Sequence, residues 1–334
     1  MREDGLPVCL IRGGTSRGLF VRRDALPEDA AAREAALLRP FHGTTGVLAD
    51  GVGGLNPVLR KVAVIAPGGS APDGLPVLQY EFAQVSGDLA KLDRSVECGN
   101  IASGVPLFGA LHGWAPDPAP GASCWIDFVN TGQRARATWT SAEGAAGALR
   151  ITFTDCAPAD AATALPLGVP RGPRLGPDGA DFSVVRGLNT YIIVRAGSVL
   201  FPDPLAQVPD HLYDTLHALV EAVRGRLGAR ATIKLCLVSP DPEDSDGVCA
   251  RALYVAERRS HPSFAVTGAI TLALARCIEG TVLHRAAPVA HESTLRIRHP
   301  EGVLEVKVTH RADGLPATVS LDRTCRLILR GHAY

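Results

Sequence analysis

Short apolar runs separated by polar or glycine-rich breaks dominate the chain. The short apolar run 8–11 and the alternating apolar and polar positions 78–85 predict strands, and Lys61 opens a further apolar strand, 61–65. Helical spacing is rarer. It predicts a helix over 27–38, which Arg39-Pro40 should end, and a second helix whose N-cap is Asp210. Other predicted strands are 19–21, 125–129, 137–140, 149–154, 182–185, 191–194, 232–238, 251–257, 294–297, 304–308, 318–321 and 327–329. The pattern predicts a strand-rich, mostly hairpin-linked α+β protein.

Two predicted buried helices differ from the others because a polar break and small residues precede each apolar run. Cys98-Gly99-Asn100 opens the first and Thr267-Gly268-Ala269 opens the second. A repeated order of strand, break and buried helix indicates a duplicated domain. The Pro- and Gly-rich stretch 165–181 predicts a long loop near the boundary between the halves. We expect both helix N-termini to face one cleft, where their positive ends favour an anion.

Composition narrows the class of protein. The chain has 334 residues with 34 basic and 34 acidic side chains, and aromatic residues make up only 5%, so neither nucleic acid nor a membrane is an expected partner. The start lacks a signal-peptide core and no apolar run has membrane-span length, which predicts a cytoplasmic protein. Eight scattered cysteines without a C-x-x-C pair indicate reduced thiols and no zinc site. The acidic loop 241–246 lacks EF-hand spacing and is interpreted as a solvated turn.

Cys98 and Asn100 stand where a helix N-terminus exposes free N–H groups. Such a position suits an anion and favours the thiolate of a cysteine. Gly99 would let a ligand approach the backbone closely. The alternative is a buried structural cysteine.

The loop from Arg12 to Gly18 presents glycines, the hydroxyls of Thr15 and Ser16, and a second guanidinium on Arg17. It lacks the G-K-[ST] ending of a P-loop, so phosphate binding is not expected. A carboxylate-binding loop and an ordinary hairpin turn are equally supported by the residues alone.

Lysine occurs only at positions 61, 91, 234 and 307, although basic residues are common. Arginine cannot release its proton near neutral pH, so a retained lysine is a candidate base. Lys61 stands at the start of an apolar strand and is one candidate for such a base. The residues alone favour the alternative, a lysine that snorkels from a strand end.

These motifs together resemble a known family. Arg12-Gly13-Gly14-Thr15-Ser16-Arg17-Gly18, Gly53-Gly54 through Lys61-Val62-Ala63-Val64, Cys98-Gly99-Asn100 and Thr267-Gly268-Ala269 resemble, in the same order, the PrpF-like branch of methylaconitate isomerases and 4-oxalomesaconate tautomerases. That branch belongs to the diaminopimelate-epimerase-like superfamily. The resemblance implies two similar domains, 1–183 (completed by 318–334) and 184–317, each a mostly antiparallel sheet or barrel around a central helix, with the active site in the cleft between them.

The resemblance also implies the chemistry. Epimerases of the superfamily use one cysteine from each half, but the second cysteine's place falls near Ala265, which argues against two-thiol racemisation. Lys61 and Cys98 are then the expected catalytic pair. The expected reaction is an allylic 1,3-proton shift in an unsaturated di- or tricarboxylic acid, such as 4-oxalomesaconate or 2-methylaconitate, without cofactor or metal. The expected substrate contacts are Arg12, Thr15, Ser16, Arg17, Gly99, Asn100, Ser103, Asn189, His261, Thr267, Gly268 and His299.

Several alternatives stay open. Cis–trans isomerisation of an aconitate-type acid would use the same dienolate, and a non-catalytic polycarboxylate-binding protein would keep only the pocket. The family usually has lysine in place of Arg17 and a hydroxyl residue in place of Arg60. These departures are compatible with an extra substrate carboxylate, an altered substrate or no catalysis. The sequence does not fix the oligomeric state, and a homodimer is one option.

Overall fold

The computed structural model describes residues 5–42, 51–54, 56–86, 91–173, 179–228, 232–241, 249–256, 259–261, 263–284 and 292–334. The chain divides into two compact units, Met1–Phe153 with Asp322–Tyr334, and Thr154–Leu321. The predicted boundary at 183–184 lies inside the second of these units, within its first strand.

The first unit is a ring of strands with helices on both faces of the sheet. Its elements are β1 (Leu6–Gly13), β2 (Ser16–Arg22), α1 (Ala30–His42), β3 (Lys61–Ser70), β4 (Pro76–Val85), β5 (Leu92–Asp93), α2 (Gly99–Ala102), α3 (Val105–Leu111), β6 (Ser123–Phe128), β7 (Gln133–Glu143), β8 (Ala146–Thr154) and the last part of β16 (Pro316–Ala333). The strand order is β1-β2-β3-β4-β6-β7-β8-β16, and β16 also pairs with β1, which closes the ring. β2 with β3 and β4 with β6 are parallel pairs, whereas β1 with β16, β1 with β2, β3 with β4 and β6 with β7 are antiparallel.

Alternating side chains of the strands explain why the two faces carry different helices. Leu19 and Val21 of β2 belong to an apolar cluster with Leu37 of α1. Phe20 points to the other face, where its ring centroid lies 5.9 Å from that of Phe108 in α3. Phe108 is fully buried, so α2 and α3 form the core of this unit.

The second unit repeats the same succession of elements. They are β9 (Phe182–Arg186), β10 (Thr190–Arg195), α4 (Asp210–Leu227), β11 (Ile233–Pro240), β12 (Cys249–Ala256), β13 (Arg259–Ser260), α5 (Val266–Cys277), β14 (Glu292–His299), β15 (Gly302–His310) and the first part of β16. The strand order is β9-β10-β11-β12-β14-β15-β16, again with two parallel pairs, β10 with β11 and β12 with β14. In each unit a helix connects the strands of each parallel pair, as parallel strands require.

The helices of the second unit also lie on opposite faces of the sheet. Leu212, Leu216, Leu219 and Val223 of α4 pack in one cluster with Val194 of β10. Tyr191, three residues before Val194 and therefore on the other face, donates to or accepts from Thr267 of α5. The residues Val266 to Ala275 are all buried, as expected for a central helix.

Four local predictions are wrong. Arg39-Pro40 was expected to end α1, but the helix continues to His42 with Pro40 inside it. In the last turn the missing N–H of Pro40 removes only one helical hydrogen bond. Asp210 is the first helical residue of α4, and Pro209 is the N-cap. The strands predicted at 318–321 and 327–329 are one strand, β16, because its polar middle is paired with neighbouring strands. Asp241 is fully buried between Arg251 and Arg298, so it is not a solvated turn residue; residues 242–248 lie outside the described part.

The predicted buried helix at Cys98 is divided into α2 and α3. Pro106 has no N–H to donate to the carbonyl of Ala102, which interrupts the hydrogen-bond ladder. Gly104 N bonds instead to Ile101 O at 2.9 Å, and Ser103 and Gly104 keep helical dihedral angles. None of the described helices combines the length and apolarity that crossing a lipid bilayer requires.

Candidate functional site

The turn between β1 and β2 is held against the start of α2 by side-chain hydrogen bonds. Asn100 Nδ2 donates to Thr15 Oγ1 at 3.1 Å, and Arg323 Nε of β16 donates to Asn100 Oδ1 at 3.1 Å. Gly14 has φ of +52°, and a methyl group there would lie 2.9 Å from Asn100 Oδ1 and 3.1 Å from Arg323 Cδ. A glycine is therefore required both for the turn and for the close approach of the two polar side chains.

Cys98 is the N-cap residue of α2 and is 9% exposed. Its carbonyl accepts a hydrogen bond of 3.1 Å from the hydroxyl of Tyr80, a fully buried residue of β4. Burial and the nearby Cys98 and Glu97 raise the pKa of Tyr80 well above its usual value, so the phenol remains a donor. The backbone of Cys98 is thereby fixed by a hydrogen bond from the sheet.

Lys61 is the first residue of β3, as predicted, and is only partly buried. Its Nζ donates to Gln84 Oε1 at 2.8 Å and lies 5.3 Å from the centroid of the Phe82 ring. The amide nitrogen of Gln84 donates to the carbonyls of Pro57 and Arg60, which fixes the direction of its oxygen. The Lys61 amine is thus held by a rigid acceptor and an aromatic face.

Lys61 and Cys98 are positioned by neighbouring side chains of one strand. The Lys61 amine lies over the ring of Phe82. Tyr80, two residues earlier on the same face of β4, donates a hydrogen bond to the carbonyl of Cys98. The ring centroids of Tyr80 and Phe82 are 6.4 Å apart. A methyl group on Gly18 of β2 would lie 3.1 Å from both Lys61 Cβ and Ile101 Cδ1 of α2. The structure therefore brings the start of β3 and the start of α2 together around Gly18.

The remaining polar residues of the loop differ in their contacts. Arg12 Nη1 donates to Gly14 O and Thr324 Oγ1, both at 2.9 Å, so this end of its guanidinium supports the turn. Arg17 is partly exposed, and its buried Nε has no hydrogen bond to any described residue. Ser16 and Ser103 are buried, and Ser103 Oγ donates to Asn100 O at 2.8 Å. Gly99 is the buried first residue of α2.

Two further arginines of the first unit, Arg60 and Arg323, lie close to these residues. Arg60 is 3% exposed and its Nη1 donates to Ser86 O at 2.8 Å, so its side chain is part of the interior beside Lys61. Arg323 was not singled out from the sequence. Burial lowers its pKa from 12.5 to about 10, while Asp322 and Cys98 oppose that shift. The only signal for its location was the expected return of the final segment to the first domain.

In the second unit, Asn189 lies in the turn between β9 and β10, and Thr267 is the second residue of α5. With its amide oriented to satisfy both ends, Asn189 accepts from Thr267 Oγ1 at 3.0 Å and from Lys234 Nζ at 2.9 Å. Tyr191 OH lies 3.2 Å from Thr267 Oγ1. A methyl group on Gly268 would lie 3.0 Å from the Tyr191 hydroxyl oxygen. The predicted residues Asn189, Thr267 and Gly268 therefore belong to one cluster, together with Lys234, which sequence reasoning had left without a role.

The two candidate histidines occupy different places. His261 precedes α5, and its Nδ1 lies 2.6 Å from Ser263 O and 3.1 Å from Ser263 N, which shapes the entry to the helix. Its ring centroid is 5.8 Å from that of Tyr254. His299 ends β14 opposite Gly302, at the turn of the β14–β15 hairpin. A role for either in substrate binding stays a prediction.

Within the described ranges, no three side chains of histidine, cysteine, aspartate or glutamate are grouped as a metal ion would require. The hydrogen-bonding groups assembled at α2 are amides, hydroxyls and cations. Such groups suit an organic anion.

Comparison with known proteins gives a consistent picture. The chain is 30% identical to 4-oxalomesaconate tautomerase of Pseudomonas putida, over 99% of this chain and 96% of that protein. The crystal structure of a methylitaconate-delta-isomerase superposes with a TM-score of 0.73 at 26% identity, covering 98% of this chain and 94% of that one. A hydroxyproline epimerase from Agrobacterium vitis, at 14% identity and a TM-score of 0.61, shares the fold.

The profile of the PrpF protein family matches residues 4–161 and 218–334, which is most of the chain. The family resemblance predicted from the glycine, lysine and cysteine motifs is thereby confirmed, and the predicted isomerase class agrees with the names of the relatives. The chain belongs to the PrpF family.

Proposed function

We propose that this protein is a cofactor-independent isomerase that moves a double bond in an unsaturated di- or tricarboxylic acid by an allylic 1,3-proton shift. The observation that carries the proposal is that Phe82 and Tyr80, on one face of β4, contact the Lys61 amine and the Cys98 carbonyl respectively. Both contacts lie beside the β1–β2 turn and the start of α2. Relatives over nearly the full length are named for 4-oxalomesaconate and 3-methylitaconate, both unsaturated polycarboxylic acids.

Arg323 and Arg17 are the proposed carboxylate-binding residues of the first repeat. Arg323 uses Nε for Asn100 and Nη1 for the carbonyl of Asp322 at 2.9 Å, and its Nη2, which bonds to no residue in the described part of the chain, is offered to a ligand. Arg17 brings a buried Nε that no described residue satisfies. A guanidinium binds a carboxylate through charge-assisted hydrogen bonds. A group already removed from water loses little further hydration when the ligand binds.

The chemistry follows from the two reactive side chains. The neutral amine of Lys61 removes the allylic proton, and the electron pair of the C–H bond delocalises through the double bond onto a carboxylate or keto oxygen. The cationic residues stabilise the resulting dienolate. Cys98 then gives its thiol proton to the carbon at the other allylic end. The double bond has moved, and no atom has been oxidised or reduced. Proton exchange with water returns the ammonium of Lys61 and the thiolate of Cys98 to their starting forms.

Gln84 has a defined part in this scheme. A lysine amine donates an N–H whether it is protonated or neutral, so the bond to Gln84 Oε1 is kept in both forms. This acceptor keeps the amine oriented throughout the reaction. Gln84 is therefore a positioning residue.

The test is a panel of unsaturated acids followed by ultraviolet absorbance: oxalomesaconate, methylitaconate and the aconitates, with product structures assigned by NMR. We expect double-bond migration in at least one of them, together with deuterium incorporation at an allylic carbon in deuterated water. Conversion between cis and trans isomers alone would favour the aconitate-type alternative. Tight binding without turnover or exchange of any panel member would leave a polycarboxylate-binding protein and contradict the proposal.

A further inference from the structure

A cavity of about 630 Å³ opens in the second unit between the segment 166–173 and the last turn of α4. Its volume lies within the usual range for small-molecule sites, which are mostly apolar and carry a few polar groups. The described residues that line it are aliphatic or prolyl side chains and two guanidiniums: Pro166, Leu167, Val169, Pro173, Arg171 and Arg226. The cavity therefore has the size and the mixed lining of a site for a small organic ligand.

The cavity lies on the face of the sheet that α4 covers. Leu167 packs against the apolar cluster that contains Leu216 of α4 and Val194 of β10. Tyr191 of β10 points to the opposite face, where its hydroxyl contacts Thr267 of α5. The cavity is thus separate from the cluster around Thr267, and a ligand in it would not contact that residue.

The wall formed by 166–173 is fastened to β9. Ser183 Oγ donates to Pro170 O at 2.6 Å, and Gly172 N donates to Phe182 O at 2.9 Å. A methyl group on Gly172 would lie 2.2 Å from atoms of the Phe182 ring, so this close approach requires glycine. Because the wall is held before a ligand arrives, little ordering of the backbone is needed for binding.

Arg171 presents a guanidinium of fixed orientation at this wall. Its Nε donates to Gly280 O at 3.0 Å, and its Nη1 donates to both oxygens of Asp181, at 3.0 and 2.9 Å. Its Nη2 bonds to no residue in the described part of the chain. Asp181 also accepts from Arg195 Nε at 3.0 Å. A single carboxylate therefore balances two guanidiniums, and a net positive charge is left beside the cavity.

Arg226 contributes the second guanidinium, from the last turn of α4. It forms no hydrogen bond or ion pair with any residue that the structure describes, whereas Arg224 in the same turn is paired with Glu221. Both arginines can interact favourably with the C-terminal end of the helix dipole. Arg226 in addition lines the cavity, and among the described lining residues no carboxylate opposes it.

We propose that this cavity binds a small aliphatic monocarboxylate. The carboxylate pairs with Arg226 and with the free Nη2 of Arg171, and the aliphatic chain lies against Leu167 and Val169. Further carboxylates on the ligand would be placed against apolar lining, where they would lose hydration without gaining a partner. The proposal does not rest on the proposed function, because the ligand is of a different class from an unsaturated polycarboxylate.

Saturation-transfer NMR of the full chain with octanoate, a straight-chain aliphatic carboxylate, tests the site. We expect a Kd of about 1 mM or tighter, as is usual for a ligand of about ten non-hydrogen atoms. Heptanol, which keeps the chain without the charge, should bind at least about threefold more weakly. Tricarballylate, a saturated tricarboxylate that cannot isomerise, should not displace octanoate. Absence of octanoate binding, equal affinity for heptanol, or displacement by tricarballylate would each overturn the proposal and leave the proposed function untouched.

Variants locate the bound octanoate. Arg226→Gln should weaken its binding about three- to tenfold, as expected for a lost ion pair at a partly exposed site. Val169→Asp should weaken it at least as much through like-charge repulsion, and Val169 is 42% exposed, so the replacement leaves the core intact. Arg224→Gln is the matched control and should bind octanoate as the parent chain does.

Denaturant unfolding of the same variants separates binding from a structural role. If Arg226→Gln and Arg224→Gln lower the unfolding midpoint to the same extent and both bind octanoate normally, Arg226 serves only the helix dipole and the proposal is wrong. A loss of octanoate affinity in Arg226→Gln and Val169→Asp, without such a loss in Arg224→Gln, supports it.

Discussion

Arg323 and Asn100 are joined by a hydrogen bond of 3.1 Å from the guanidinium Nε to the amide Oδ1, although 223 positions separate them in the sequence. Because the Asn100 amide also donates to Thr15, it connects β16, α2 and the turn between β1 and β2. Asn100 was predicted to contact substrate. That contact stays a prediction. The two bonds use one N–H and one acceptor position of the amide, so Asn100 also supports the neighbouring guanidinium of Arg323.

Arg323→Gln should lower kcat/KM about 10- to 100-fold, because a charge-assisted bond to a carboxylate contributes about 1.5–3 kcal/mol. Arg323→Lys should lie between this variant and the parent chain, since it keeps the charge and loses the forked geometry. The control is Arg330→Gln, an exposed residue of the same strand. Steady-state kinetics on the substrate found in the panel give the numbers. Equal losses in Arg323→Gln and Arg330→Gln would show only a general effect of positive charge.

Lys61→Arg should lower kcat by about two to four powers of ten, the usual contribution of a general base. The guanidinium keeps the positive charge but has no neutral form near pH 7. Solvent deuterium exchange at the allylic carbon should fall in parallel, whereas Cys98→Ala should lower exchange less, because Lys61 still removes and returns the first proton. If the Lys61→Arg variant exchanged the allylic proton at the parent rate, the proposed carboxylate site would be unaffected and the assignment of Lys61 as the base would be wrong.

Gly14→Ala should lower both stability and activity, and Gly54→Ala offers a matched control. Both glycines have φ of +52°, so an alanine at either costs about 1–2 kcal/mol of backbone strain. A methyl group would meet Asn100 and Arg323 at Gly14, whereas no atom of the described residues lies within 4 Å of the same position at Gly54. Denaturant unfolding should show the strain in both variants, and kcat/KM should fall only in Gly14→Ala. A Gly14→Ala enzyme with parent kinetics would show that the turn has no role in positioning Arg323.

Cys98 should be alkylated first among the described cysteines by iodoacetamide at pH 8, and tricarballylate should slow that reaction. Burial raises the pKa of Cys124, Cys156 and Cys325 from 9.0 to about 12 and that of Cys277 to about 11. At a pKa of about 12 only about one thiol in ten thousand is ionised at pH 8, and the thiolate is the reactive form. Peptide mass spectrometry over time gives the order. Earlier reaction of Cys156, without protection at Cys98, would make Cys98 a structural residue.

The same pKa shifts predict how stability depends on pH. These thiols ionise near pH 9 in the unfolded chain and only near pH 11–12 in the folded one, so the folded state binds more protons between these values. Their contribution to stability is complete below about pH 9 and is lost as the pH rises toward 12. Thermal unfolding between pH 8 and pH 11 should therefore show a falling midpoint, with a smaller fall in a variant that carries Cys124→Ala and Cys156→Ala.

Asp241→Asn should destabilise the second unit by about 1.5–3 kcal/mol, because the buried carboxylate loses its charge and with it the charge-assisted hydrogen bonds to Arg251 and Arg298. The Asp241 carboxylate is fully buried and accepts from Arg251 Nε at 3.4 Å and Arg298 Nε at 2.6 Å. Asp24→Asn is the control, because the Asp24 carboxylate is 61% exposed in its pair with Arg22 and should contribute less than about 1 kcal/mol. Urea unfolding measures both. Similar small changes in the two variants would contradict the assignment of a buried ion cluster.

Local patterns allowed much of the fold to be predicted. The alternation of apolar residues located most strands, and the small residues after Cys98 and before the run ending at Ile278 located the central helices. Lys61 was predicted at the start of a strand, and it stands there. These features depend on neighbours in sequence, so the sequence alone was sufficient for them.

Features that depend on distant partners could not be predicted in the same way. Arg323 is one arginine among many, and nothing in its neighbourhood indicates that Asn100 is its partner. The polar segment around Arg323 divides the apolar pattern of β16, yet pairing with strands on either side keeps the segment extended. Asp241 looked like part of an acidic loop because its two arginine partners follow 10 and 57 positions later.

The position of β16 bears on how this chain folds during synthesis. The first strand of the first unit, β1, has β2 on one side and β16 on the other, so the ring stays open until almost the whole sequence has been made. Contacts between such distant segments slow folding, because much chain entropy is lost before they form. A ribosome-bound nascent chain that ends before Asp322 should expose the unpaired edges of β1 and β8, to which a chaperone or a second nascent chain can bind. The turn beside Cys98, which Arg323 supports, would then be among the last parts of the molecule to become ordered.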